Sequence, residues 1–175
     1  TTMKIDYRQL LAAAQGKIKV DLLLKGGWLV NVISGEIYKE DIAVHAGHVV
    51  GFGKYPAKKV VDLKGQYICP GFIDGHVHVE SSMVTIPEFA RAIVPCGVTS
   101  IITDAHEIAN VLGIDGIKYM LESSKYQPLN VYFMMPSCVP ATELETGGAR
   151  LSGFDLYPFL SEKWVVGLGE VMDYP

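Results

Sequence analysis

Pro70-Gly71-Phe72-Ile73-Asp74-Gly75-His76-Val77-His78 is the stretch that decides the fold. A short apolar strand, Tyr67 to Ile73, runs into two histidines one residue apart. In an extended chain, side chains i and i+2 point the same way. His76 and His78 then share a face, with Cα atoms roughly 6.5 Å apart. Two imidazoles so placed can converge on one divalent ion at about 2.0–2.1 Å per bond. Asp74 has the same parity and can orient such ligands through its carboxylate. Two ordinary strand histidines would show the same spacing. Their place at a strand end, after Pro-Gly-hydrophobic-Ile-Asp, favours the metal.

Downstream of this stretch the rhythm is strand, helix, strand, helix. Strands are expected at Tyr67–Ile73, Val98–Thr103, Asn130–Met135 and Trp164–Leu168. Helices are expected at Ile86–Cys96, with Pro87 in the first turn and Gly97 at the end, at Val111–Ser123 and at Phe154–Leu160. Val98-Thr99-Ser100-Ile101-Ile102 lacks polar alternation, as a strand covered on both faces does. Four such repeats suit a TIM-like barrel or a doubly wound sheet, and the pattern does not choose between them.

Upstream the pattern differs. Tyr7 to Ala14 reads as a short amphipathic helix stopped by Gly16. From Lys19 to Ile68, short β-type runs alternate with turns: Val20–Leu24, Trp28–Val32, Asp41–His45, His48–Phe52 and Val60–Leu63. Ala46-Gly47 reads as a tight hairpin turn, with His45 and His48 as solvated residues beside it. The expectation is a small antiparallel β domain over residues 1–67, followed by βα units over 68–175.

Composition limits the function classes. The chain has 175 residues, 49% hydrophobic and 19% charged, an ordinary globular balance. Its 15 basic and 19 acidic residues leave a net charge of -4 without a basic cluster, so no nucleic-acid partner is expected. Apolar runs are broken well short of a membrane span, and residues 1–6 lack an apolar signal core. Cys69, Cys96 and Cys138 are widely spaced and odd in number, which suits reduced thiols in a cytoplasmic protein. Cys69 and Cys96 sit in apolar contexts and are expected to be buried.

The His-x-His stretch resembles the first barrel strand of the amidohydrolase superfamily. Val30-Asn31-Val32-Ile33-Ser34-Gly35-Glu36, His76-Val77-His78-Val79-Glu80-Ser81-Ser82-Met83, Asp104-Ala105-His106-Glu107-Ile108-Ala109-Asn110-Val111, Pro136-Ser137-Cys138-Val139-Pro140-Ala141-Thr142 and Gly167-Leu168-Gly169-Glu170-Val171-Met172 narrow the resemblance to the adenine deaminase family. Ala105 departs from the proline of that family's Asp-Pro-His-Glu stretch. The resemblance chooses the barrel: an α/β fold made of the first half of a TIM-like (β/α)8 amidohydrolase barrel, preceded by the small antiparallel β domain. A complete barrel takes about 250 residues and eight strands, whereas about 105 residues follow Pro70 here.

The same resemblance implies hydrolytic deamination of adenine to hypoxanthine and ammonia, in purine salvage. It implies a binuclear divalent-metal site of Mn²⁺ or Fe²⁺, with Zn²⁺ as a further possibility, a small purine substrate, and a homo-oligomer in the full-length protein. His76, His78 and Glu170 are the candidate metal ligands. Glu170 is the candidate bridge between two ions, where many superfamily members use a carbamylated lysine, and Gly167-x-Gly169 leaves room beside it. Glu170, His106 and Glu107 are the candidate catalytic residues. His106-Glu107 also suits a helix entry, where such groups cap. Glu80 shares the histidines' parity. Thr142-Glu143-Leu144-Glu145-Thr146-Gly147-Gly148-Ala149 reads either as a loop closing on substrate or as a solvated connection. With three of about six ligands and no proton-shuttling aspartate, the 175-residue chain alone is expected to be inactive. Alternatives are another amidohydrolase, such as a cyclic-amide hydrolase or amino-sugar deacetylase, or a non-catalytic half-barrel module.

Overall fold

The computed structural model describes residues 5–172. The chain divides into two compact units, the first ending at Pro70 and the second beginning at Gly71. Residues 1–4, most of the stretch read for a signal core, lie outside the described residues.

The first unit opens with α1, Tyr7–Ala14. Asp6 caps it: its carboxylate accepts the N–H groups of Arg8 at 3.0 Å and Gln9 at 3.3 Å, donors the helix itself leaves without partners. Five strands follow, β1 (Val20–Asn31), β2 (Glu36–His45), β3 (His48–Phe52), β4 (Ala57–Asp62) and β5 (Tyr67–Ile68). They form one sheet in the order β3-β2-β1-β4, with β5 also on β1. β1 pairs antiparallel with β2, but parallel with β4 and β5. The sheet is therefore mixed rather than antiparallel. Parallel pairing carries no hairpin signature in sequence, because the partners are joined by longer connections. Lys25-Gly26-Gly27 does not end a strand either. It is an irregularity within β1, where register shifts between Leu24 and Gly27 and Gly26 takes a φ of +72°.

The core of this unit gathers Ala13, Val20, Leu23 and Ala43. His45 joins the buried side of β2 instead of facing solvent, at 6% exposure. Its parity matches that of buried Ala43. Its Nδ1 lies 3.3 Å from an Asp21 oxygen. His48 is exposed, as read from the hairpin.

The second unit holds β6 (Phe72–Val77), β7 (Val98–Asp104), β8 (Asn130–Met135) and β9 (Val165–Leu168), all parallel and in sequence order. Tyr67–Ile73 is thus two strands in two sheets: Tyr67–Ile68 pairs with β1, and Phe72 onward pairs with β7. Pro70 lies between them and cannot donate to a ladder.

Helix α2 (Ile86–Ile93) runs into a 3₁₀ turn at Val94–Cys96. The helix expected at Val111–Ser123 is two helices, α3 (His106–Leu112) and α4 (Ile114–Ser123), broken at Gly113 with φ +59°. The short α5 (Gly153–Leu156) continues as a 3₁₀ turn through Ser161.

Ile101, Val131, Phe133 and Met135 of the strands pack against Ile86 and Ala90 of α2 and Ile117 and Met120 of α4. Fully burying a side chain such as Phe133 contributes about 1.5–3 kcal/mol. Cys69 and Cys96 are exposed, contrary to their apolar sequence context. Because the four strands are parallel neighbours, their C-terminal residues line one edge of the sheet. That edge is where the chemistry collects.

Candidate active site at the C-terminal edge of the parallel sheet

His76 is the penultimate residue of β6, and His78 follows its end. Asp74 accepts the His76 backbone N–H at 3.1 Å, which steadies the strand where its register with β7 shifts. The two Nε2 atoms lie 3.0 Å apart. Two ligands on a tetrahedral ion with bonds of about 2.05 Å would be about 3.3 Å apart. His78 Nδ1 lies 3.0 Å from the Asp104 backbone carbonyl, which can only accept. His78 therefore carries its proton on Nδ1 in the neutral ring and presents a lone pair at Nε2. Such a carbonyl contact is how ligating histidines are commonly oriented.

Glu170 follows β9 and reaches across to the same point. Its Oε1 lies 3.5 Å from His78 Nε2 and 3.4 Å from His106 Nδ1. His106 opens α3, with its ring centroid 4.6 Å from that of His78. Three overlapping groups each bring their ligand atoms within 4.8 Å of one another: His76, His78 and Glu170; His78, His106 and Glu107; and Asp104, His106 and Glu170. A cleft of about 390 Å³ opens beside them, lined by Gly75, His76, Thr103, Asp104, Gly169 and Glu170 among others.

Asp104 ends β7 and is 2% exposed. Its Oδ2 accepts the Glu170 backbone N–H at 3.1 Å. Its Oδ1 lies 3.7 Å from His106 Nδ1, and neither atom has a hydrogen-bond partner among the described residues. Burial pushes the Asp104 carboxyl above the ordinary range, and the neighbouring His106 pulls it back. Buried polar atoms without partners are rare, and at a rim of this kind they suit an ion or substrate atom.

Glu107 accepts a hydrogen bond from the Ser81 hydroxyl. The chain leaves the extended conformation in a 3₁₀ turn at Glu80–Ser82, so strand parity does not carry Glu80 toward the histidines. Glu80 instead accepts the Ile108 N–H in the first turn of α3 at 3.4 Å, and burial raises its carboxyl above the usual range. The Thr142–Ala149 loop docks on α3 through the Gly148 N–H, which donates to the Asn110 carbonyl at 2.8 Å. In the sequence Asp104 and Ser137 stand out only as members of the stretches that carry the family resemblance. Their bonds to Glu170 span long stretches of chain and leave no local signal.

Parallel strands with a His-x-His pair, a facing carboxylate and a helix-entry histidine at their C-terminal edge define a class: βα proteins that gather polar side chains for an active site on that edge. Residues 67–165, more than half of the chain, match the Amidohydrolase family. The chain belongs to that family.

It is 53% identical over 165 residues to the adenine deaminase of Geobacillus kaustophilus (strain HTA426), covering 94% of this chain and 29% of that protein. It is 53% identical over 168 residues to adenine deaminase 2 of Carboxydothermus hydrogenoformans, covering 96% of this chain and 30% of that protein. The chain thus spans less than a third of the length of these curated relatives. Among solved structures, the D-hydantoinase (dihydropyrimidinase) from Thermus sp. superposes with a TM-score of 0.53 at 23% identity, over 66% of this chain and 27% of that one. A D-aminoacylase described as having a binuclear metal center superposes with a TM-score of 0.52 at 18% identity, over 66% and 29%. These two likenesses speak for the fold.

Proposed function

We propose that this chain supplies the first part of the active site of a metal-dependent adenine deaminase, with the second unit as the first four βα units of its barrel and the first unit as a separate small β domain. One observation carries the reading: His76, His78 and Glu170 each bring one ligand atom within 4.8 Å of the others. They do so in a chain more than half identical to adenine deaminases.

The residues present fit a divalent ion of the Mn²⁺, Fe²⁺ or Zn²⁺ kind, since imidazole and carboxylate donors suit these metals. His78 is held on the Asp104 carbonyl with its Nε2 lone pair outward. His76 presents Nε2 from the same side, and Glu170 would add a carboxylate oxygen at the same point. A metal held there supplies the Lewis acidity that makes water a nucleophile near neutral pH. His106, with Nδ1 between the Asp104 and Glu170 carboxylates, holds a proton at that atom and is placed to pass it to departing ammonia. Glu107, held by Ser81, contacts substrate from the start of α3. In the overall reaction water adds at C6 of adenine, the bond from C6 to the amino nitrogen breaks, and hypoxanthine and ammonia result. The substrate is a small purine, the cell compartment is the cytoplasm, and the complete enzyme is a homo-oligomer.

The test is ammonia release from adenine with Mn²⁺ or Fe²⁺ added, comparing this chain with the natural protein that contains it. Turnover by the natural protein and none by the isolated chain is expected. No release by the natural protein, with release from a cyclic amide or an N-acetyl amino sugar instead, would overturn the substrate assignment.

A further inference from the structure

We propose that Asp104 is a positioning residue that sets the separation between His78 and Glu170, assisted by Ser137; the inference rests on the reading of His78 and Glu170 as metal ligands. Asp104 touches both residues through different atoms. Its backbone carbonyl accepts His78 Nδ1–H at 3.0 Å, and its carboxylate Oδ2 accepts the Glu170 N–H at 3.1 Å. Ser137 donates its hydroxyl to the Glu170 backbone carbonyl. Just before Glu170, the Gly169 N–H donates to the Met135 carbonyl at 2.7 Å. Both backbone polar groups of Glu170 are thereby held, and with them the direction in which its side chain leaves the backbone.

Gly169 is part of the same device. A Cβ at that position would lie 1.9 Å from Asp104 Oδ2, so only glycine lets the carboxylate reach the next N–H. Asp104 is 2% exposed, so water cannot easily replace it as acceptor. A single residue at the end of β7 thus ties the end of β6 to the end of β9, and the site does not depend on long side chains finding one another.

The experiment uses Asp104→Ala, Asp104→Asn and Ser137→Ala in the natural protein that contains this chain. It reads two quantities: hydrogen exchange at the Glu170 amide without metal, and Mn²⁺ affinity by titration calorimetry. Asp104→Ala is expected to speed exchange at Glu170 and weaken Mn²⁺ binding by about 10–100-fold, the scale for groups that orient metal ligands. Asp104→Asn keeps an acceptor oxygen for the Glu170 N–H and is expected to keep slow exchange and an affinity within a few-fold of wild type. Ser137→Ala, at the rim, is expected to weaken Mn²⁺ binding several-fold, and it decides the matter if Asp104→Ala does not fold. Wild-type affinity in both Asp104→Ala and Ser137→Ala would overturn the proposal. So would an Asp104→Asn protein as poor in Mn²⁺ as Asp104→Ala, since Asp104 would then be a ligand itself. A wild-type protein that binds no Mn²⁺ would instead remove the reading of the site on which the proposal stands.

Discussion

His45 in the first unit and His78 in the second are both histidines at the end of a strand, yet their surroundings differ in kind. His45 is buried and faces one carboxylate, Asp21, which is also engaged by Lys58 at 2.7 Å and by the Ala46 N–H at 2.8 Å. His45 Nδ1 faces Asp21 without a hydrogen bond among the described residues, but the carboxylate itself is engaged by the chain, and the cluster ties β1 to the β2–β3 turn and to Lys58 of β4. His78 has one nitrogen satisfied by a backbone carbonyl and the other directed at His76 and Glu170. Its neighbours His106 and Asp104 each leave a buried atom without a hydrogen-bond partner among the described residues. The difference is one of gathering: at Asp21 one histidine and one lysine meet a single carboxylate, whereas beside His78 several histidines and carboxylates bring ligand atoms within 4.8 Å of one another, the arrangement that suits an ion.

The largest expected effect comes from breaking the open arrangement. His78→Ala in the natural protein should lower divalent-ion affinity by more than the about 10–100-fold that outer contacts cost, and abolish ammonia release. His45→Ala should leave Mn²⁺ affinity within error. Equal loss in the two variants, measured by metal content after gel filtration, would erase the distinction. Next, His106→Gln should reduce kcat by about 10²–10⁴-fold, as for loss of a general acid or base, while bound metal stays near the wild-type level. If metal falls in step with activity, His106 is a ligand and not a proton carrier.

Packing gives a third contrast. Phe133→Ala in the second unit empties a fully buried site and should cost about 3–5 kcal/mol, whereas Leu23→Ala in the first should cost about 2–5 kcal/mol. Hydrogen exchange mapped by residue checks it: each substitution should loosen its own unit first.

The smallest effect concerns acid. The Ala46 N–H, and then Lys58, hold the Asp21 carboxyl below its ordinary range. A depressed carboxyl adds stability above its unfolded pKa, about 3.9 for Asp, and loses it as pH falls from there through the folded value. Asp21 is part-exposed, so the contribution is small. Asp21→Asn should lower the neutral plateau of the first unit's stability curve slightly and flatten its acid limb, the two proteins converging at low pH. An unchanged acid limb in thermal melts from pH 5 to 2 would contradict this.

Much of the second unit was legible because its signals are local. Asn130–Met135 is a strand with the expected bounds, since a continuous apolar run between polar turns has few other readings. His76 and His78 face one point because neighbouring strand parity requires it. The helix break at Gly113 had a signal, a glycine inside an apolar run, but helical periodicity overrode it. The burial of His45 was likewise available from its parity with Ala43, and its place beside a hairpin turn hid it. The parallel pairing of β1 with β4 and β5 had no such signal, because pairing partners across long connections are chosen by packing. The same holds for Asp104, whose contact with Glu170 joins residues far apart in the chain.

The most direct measurement is an anomalous-scattering map of crystals of the natural protein grown with Mn²⁺. A manganese peak is expected within about 2.0–2.3 Å of His76 Nε2, His78 Nε2 and one Glu170 carboxylate oxygen, bond lengths typical of first-row ions with such donors. A peak bound elsewhere, or a fully ordered site with His76 and His78 hydrogen-bonded to each other and no manganese at saturating concentration, would contradict it.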